Sequence, residues 1–245
     1  MYKRQSCRKL ILVAVFLISI AATAAAFTFM PMSITISPSG ANSIASFRIT
    51  NDSSQQIAIT IKAMMREIDE NGNETNKPAD NLFAIFPTRV VVQPNSFQNI
   101  KVQYKGNPSL SREVAYRIIA EQVPIDFSQQ QTSGVKVMFR YIAALYVAPP
   151  NVSHKVSVTK VEYGEQESKK GFFVTITNSG TRHAIINDPV MKISGSSFTI
   201  TLKDESVSAI NGQNLLAGNV RKFFIPCEDA VPGKNYTGTL TATIE

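Results

Sequence analysis

From residue 27 onward, apolar and polar positions alternate in short runs separated by turn residues. Ile57, Ile59, Ile61, Ala63 and Met65 alternate with Thr60, Lys62 and Arg66, the two-residue period of a half-buried strand. Glu70-Asn71-Gly72-Asn73 follows and predicts a hairpin turn, because Asn-Gly accepts positive φ at little cost. Ile34 and Ile36 precede Pro38-Ser39-Gly40, and Phe47 and Ile49 precede Asn51-Asp52-Ser53. Residues 83–92 form one apolar stretch ending at Pro94-Asn95. Two more alternating sets follow, Ile100, Val102 and Tyr104, then Val114, Tyr116, Ile118 and Ala120. The longest alternating run is Val135, Val137, Phe139, Tyr141, Ala143 and Leu145.

Pro149-Pro150 interrupts the pattern. A Pro-Pro pair is stiff and cannot donate ladder hydrogen bonds, so it predicts a hinge. Strand patterns resume with Val156 and Val158, then Phe172, Val174 and Ile176, then Phe198, Ile200 and Leu202, and last Leu240, Ala242 and Ile244. The first 245-residue reading is therefore all-β: two sandwiches, residues 27–148 and 151–245, with no long amphipathic helix. That division also suits the usual size of a domain.

Residues 1–26 read as a secretory signal peptide. Lys3, Arg4, Arg8 and Lys9 supply the positive start, Leu10 to Ile20 the apolar core, and Ala24-Ala25-Ala26 the small-residue cleavage site. The core is too short to favour a spanning helix, so no membrane attachment is expected after cleavage. Cleavage also changes the charge. The full chain carries 25 basic and 18 acidic residues; losing four basic ones leaves 21 against 18. A surplus of three is no nucleic-acid footprint. Cys7 leaves with the signal segment, so Cys227 is the single remaining cysteine. An intramolecular disulfide is excluded, and a buried lone thiol is the expectation.

Enzymatic chemistry finds no foothold. His154 and His183 are the only histidines, and neither has a metal-ligand companion at helical or hairpin spacing. No G-x-S-x-G or Walker sequence occurs. The expectation is a non-enzymatic protein without metal or cofactor.

Four segments resemble the pilus-assembly chaperones, the periplasmic partners of outer-membrane ushers. They are Phe47-Arg48-Ile49-Thr50-Asn51; Phe86-Pro87-Thr88-Arg89 through Pro94-Asn95; Glu113-Val114-Ala115-Tyr116-Arg117 with Val123-Pro124-Ile125; and Arg140-Tyr141 through Val147-Ala148-Pro149. Their order and spacing carry the resemblance, and Asn178-Ser179-Gly180-Thr181-Arg182-His183 fits the archaic branch. The resemblance implies two immunoglobulin-like domains joined at an angle by a short Pro-rich hinge. It also implies a mechanism. A pilin lacks its last strand, and the chaperone lends its own, a case of β-strand addition. The lent side chains would be Val135, Val137, Phe139 and Tyr141, which share a face by the two-residue period. The same exposed strand would allow the free form to self-associate.

Two departures from the better-known relatives stand out. Those relatives hold the pilin C-terminal carboxylate on a first-strand arginine and a last-strand lysine. Here these fall near Thr35 and Ala144, and Arg89 and Arg140 are the substitute candidates. The relatives also tie their domains with a charged cluster. Glu113 and Asp229 are the candidate acidic members, but Ala148 stands where an arginine is expected. The rival reading is a pilus subunit or surface immunoglobulin-like module, with Phe27-Thr28-Phe29-Met30 as a donor extension. The first domain's final strand decides between the two readings, and a second complete domain after a Pro-Pro hinge is unexpected in a pilin.

Overall fold

The computed structural model describes residues 27–124, 137–196, 198–233 and 235–245. The expected signal segment and Val135 lie outside the described residues. Within them, ten strands fall between residues 28 and 147: β1 (Thr28–Met30), β2 (Ser33–Ile36), β3 (Ile44–Asn51), β4 (Ile57–Ile68), β5 (Glu74–Pro78), β6 (Phe83–Phe86), β7 (Arg89–Val92), β8 (Ser96–Tyr104), β9 (Val114–Val123) and β10 (Arg140–Val147). Seven more follow: β11 (Val156–Gln166), β12 (Lys169–Asn178), β13 (Ala184–Ser194), β14 (Thr199–Leu202), β15 (Gln213–Leu215), β16 (Val220–Pro226) and β17 (Thr237–Ile244).

The first set packs as two sheets. One runs β1-β3-β8-β6, the other β2-β10-β9-β4-β5 with β7 also on β4. Alternation explains the layers. Ala45, Phe47 and Ile49 face Ile59, Ile61, Tyr116, Ile118 and Leu145 across one core. Each of the larger ones, such as Phe47, Ile49, Ile59 and Leu145, contributes about 1.5–3 kcal/mol by leaving water. The second set forms β11-β12-β16 against a sheet of β14, β13, β15 and β17, closed over Phe172, Val174, Ile176, Ile186, Ile193 and Ile225.

Two prolines mark sheet changes. Pro31 separates β1 from β2, and Pro87 separates β6 from β7; in each case the flanking strands join opposite sheets. A residue without an N–H cannot continue a ladder. Residues 83–92 are therefore two short strands, where the apolar stretch alone reads as one. The long run is also shorter than its alternation suggests: the strand begins at Arg140, and residues 137–139 precede it.

Candidate partner-binding edge and interdomain cleft

β10 is covered unevenly. On one side it pairs with β9 along its whole length. On the other, β2 pairs with it in parallel only from Ala144 to Val147. The Ala144 N–H donates to Met32 (2.8 Å) and the Ala148 N–H to Ile36 (2.9 Å), whereas the Gln122 N–H donates to Phe139 (3.0 Å). Even-numbered residues thus turn their backbone groups toward β2, and odd-numbered ones toward β9. Below Ala144 the even-numbered groups, those of Arg140 and Ile142, reach past the end of β2 to an edge that no described strand occupies.

The side chains follow the same parity. Ala143, Leu145 and Val147 are fully buried in the first core. Tyr141 sets its ring edge-on to Phe27, with centroids 4.7 Å apart, and Phe139 packs half-buried at the core margin. Val137 lies before the strand and is 58% exposed. From Leu145 through Tyr141 to Phe139 the row therefore becomes progressively more open toward the start of β10, whose outer edge no described strand covers.

The other face of the same sheet meets the second sandwich. Ile68, Ala115, Ala144 and Tyr146 pack with Leu216. The Glu113 N–H donates to Thr181 (2.9 Å). The Glu113 carboxylate accepts the His183 N–H (3.1 Å) and lies 2.6 Å from His183 Nδ1. The His183 ring stacks on Tyr146, 3.8 Å between centroids and 8° between planes. A second contact is the hairpin joining β4 to β5. The Lys222 N–H donates to Glu70 (2.8 Å), Asn219 donates to Ile68 (3.0 Å), and the Arg221 guanidinium lies against Gly72. The Asn71-Gly72 turn expected from sequence is thus the piece of the first sandwich that docks on β16. Three buried polar atoms lack a partner among the described residues: Glu113 Oε2, Asn214 Oδ1 and Arg221 Nε. All three residues belong to this joint.

Glu113 sits at the joint, and Asp229 is not beside it. Asp229 is exposed beyond the far end of β16. Arg221, near the start of that strand, touches the first sandwich. Five strand residues at about 3.3 Å each already separate Arg221 from Pro226. Cys227, beside Asp229, is buried as expected, and that burial pushes its thiol pKa up.

Arg89 and Arg140 stand at opposite ends of one cross-strand row. Arg89 faces Thr60, Thr60 faces Glu121, and Glu121 faces Arg140. Three strand spacings, about 14 Å, separate the two backbones. Both arginines are exposed, and Arg140 Nε is 4.0 Å from Glu121. The cleft instead gathers Arg66 and Arg117, which sequence reasoning did not single out. Arg117 lies directly across from Ala144, so the two share a face of the sheet. It donates through Nε and Nη2 to both Glu74 oxygens, at 2.8 and 2.5 Å. Arg66 Nε donates to Glu74 Oε2 (2.7 Å), and its Nη1 reaches the Tyr146 hydroxyl (3.4 Å). That hydroxyl also accepts from Asn214 (2.7 Å). Burial works to raise the Glu74 pKa, but the bonds from Arg117 and Asn76 and the two guanidinium charges outweigh it and hold it at about 2. Glu74 is therefore ionised throughout the neutral and mildly acidic range. Among the described residues no cluster of His, Cys, Asp or Glu could hold a metal ion.

Comparison with known proteins places this geometry. Residues 30–153 match the family model described as "Pili and flagellar-assembly chaperone, PapD N-terminal domain". Curated protein sequences give no match. Solved structures do. The chain is similar to the class 5 fimbriae chaperone CfaA at 16% identity, covering 89% of this chain and 100% of that one, with a TM-score of 0.57. It is similar to a chain of the CsuC–CsuE chaperone–tip subunit complex from the archaic Csu pili of Acinetobacter baumannii. There identity is 13%, coverage 90% and 97%, and the TM-score 0.59. A chain of the Salmonella enterica SafA pilin–SafB chaperone complex matches at 11% identity, 84% and 86% coverage and a TM-score of 0.51. These likenesses speak to the fold, two immunoglobulin-like sandwiches. The family match covers half of the chain and includes the β9–β10 ladder and its open edge, so the chain belongs to the pili-assembly chaperone family.

Proposed function

We propose that this protein works in the periplasm, lends the open edge of β10 to pilin subunits that lack a strand, and delivers them to an outer-membrane usher. The observation that carries this reading is the uneven cover of β10. Among the described residues, nothing pairs with the outward backbone groups of Arg140 and Ile142, next to Tyr141 and Phe139 at the core margin and the exposed Val137. An edge of that kind favours pairing with another chain. An incoming strand would extend the sheet, and its own core would meet Val137, Phe139 and Tyr141. Backbone ladder bonds would supply affinity and the alternate side chains the fit. The costs of association offset part of that gain.

The anchor for a pilin C-terminal carboxylate is better placed on Arg66 and Arg117 than on Arg89 and Arg140. The first pair already converges on a carboxylate at the end of the sheet that faces the second sandwich. The pilus-subunit reading loses ground for a separate reason. The first sandwich contains its own final strand, and residues 28–30 pair with β3 rather than projecting as a donor.

The test is the pair Val137→Asp and Phe139→Asp. Each places a charge where a partner's core would lie, which is costly without a counter-charge. The double variant should stay folded and fail to form a soluble one-to-one complex with its pilin. Undiminished complex formation by a folded double variant refutes strand lending by this row.

A further inference from the structure

Arg66 and Arg117 form a carboxylate clamp, and the clamp is already closed on the chain's own Glu74. Arg117 grips it with two roughly parallel bonds, and Arg66 adds a third, the fork geometry by which guanidinium groups recognise carboxylates. The order of exposure is telling. The side chains of Arg66 and Arg117 are 9% and 17% exposed, and that of Glu74 is 26% exposed. Glu74 is thus the outermost of the three and covers the donors that a ligand would need. It sits at the start of β5, an edge strand of the sheet, so its side chain can turn to water without breaking the central ladder. We propose that Glu74 is an internal competitor: it occupies the two-arginine site in the free protein and is displaced by the C-terminal carboxylate of a bound chain.

This inference rests on the reading that the cleft takes a terminal carboxylate. It adds that capture there is an exchange of one carboxylate for another. The Glu74 carboxylate leaves as an anion, because the clamp keeps it ionised far below neutral pH. The incoming anion takes its place, so the net charge of the clamp is unchanged. An exchange of this kind keeps the complex releasable. The displaced group waits beside the site and can return when the client moves on.

The test uses a short N-acetylated peptide of alternating valine and threonine, made with a free C-terminal carboxylate or with a C-terminal amide. Binding to the full folded protein is measured by calorimetry for wild type, Glu74→Gln and Glu74→Ala, with thermal unfolding run on each. Removing the competitor should tighten the carboxylate peptide about tenfold, the scale of a lost charge-assisted bond, and leave the amide peptide unchanged. Arg117→Ala should erase the difference between the two peptides. A wild-type measurement covers the case in which a variant fails to fold: the Arg66 and Arg117 Nε–H resonances should shift with the carboxylate peptide and not with the amide. Suppose wild type prefers the carboxylate but the Glu74 variants bind it equally or more weakly. The competitor idea then fails, and Glu74 merely positions the arginines. Equal binding of both peptides by wild type and variants, with unmoved Nε–H signals, removes the anchor itself and leaves strand lending standing.

Discussion

Asn51 and Asn178 occupy equivalent corners of the two sandwiches, each fully buried at the last residue of its strand. Asn51 Nδ2 donates to Gln55, Val92 and Gln93 at 2.8–3.1 Å, while its Oδ1 accepts from Ser53. Asn178 Nδ2 donates to Arg182, Leu215 and Leu216 at 2.7–3.2 Å, and its Oδ1 accepts from Lys155 and Gly180. One amide thus closes a strand end, a turn and a neighbouring segment in each domain. Asn178→Ala should cost about 2–4 kcal/mol, because several buried carbonyls lose their donor at once. Asn178→Asp should cost more despite its identical shape, since it turns an acceptor toward three carbonyls. Denaturant unfolding of both variants checks the order.

The joint between the sandwiches should depend on His183 more than its modest contacts suggest. Glu113 is 5% exposed, and His183 supplies both a backbone and a ring partner to one of its oxygens. His183→Ala keeps the backbone donor and removes the ring, the stack on Tyr146 and the ring's hydrogen-bond contact with Glu113. Leaving a buried polar oxygen without that partner costs about 1–3 kcal/mol. The expected result is loss of a single cooperative unfolding transition, with the two sandwiches melting separately.

Acid should weaken the fold through Glu74. Its folded pKa is lowered from 4.5 to about 2, so the ionised form is favoured by folding. The stabilisation is fully present above pH 4.5 and is lost as pH falls toward 2. Allowing for solvent screening of a partly exposed group, the loss should be about 1–2 kcal/mol. Urea titrations across that window check it, and Glu74→Gln should flatten the dependence.

Gly72 is required by its backbone, and a side chain there would also displace Arg221. Its φ is +92°, and the guanidinium of Arg221 fills the space that a Cβ would take. An ordinary glycine-to-alanine replacement stabilises by about 0.4–1 kcal/mol, but at this positive φ Gly72→Ala should destabilise by more than that, and it should loosen the docking of the hairpin on β16. Hydrogen exchange at Lys222, whose N–H donates to Glu70, should rise selectively.

What could be read from the sequence was local. The β4–β5 hairpin followed from Asn71-Gly72, and the core faces of β4, β9 and β10 from their period of two. β13 was harder to see, because Asn187-Asp188-Pro189 looks like a turn. The structure makes it an irregularity inside one strand, with Asp188 at φ +49°. Apolar residues 83–92 do not say which sheet they join, so the break at Pro87 was hidden. The cleft was the least legible part. Parity alone puts Arg117 opposite to the core-facing Tyr116 and Ile118, but its partner Glu74 lies 43 residues away. The partner of His183 lies 70 away. Such pairs depend on strand register and domain docking, which no local pattern encodes.

The direction of single N–H groups gives the sharpest check on the lent edge. The Ile142 N–H turns toward the side of β10 where no described strand pairs with it, whereas the Ala144 N–H, on the same side, donates to Met32. Proline is tolerated where a strand's N–H faces an open edge and is disruptive where that N–H is bonded. Ile142→Pro should therefore keep the fold. It should still abolish capture of the pilin, because it removes a ladder donor and places a ring in the path of the incoming strand. Ala144→Pro breaks the bond to Met32 and should unfold or severely destabilise the first sandwich. Circular dichroism and co-purification of the two variants separate these effects. An Ile142→Pro protein that folds and still captures pilin would show that the partner's backbone pairs elsewhere than along this edge.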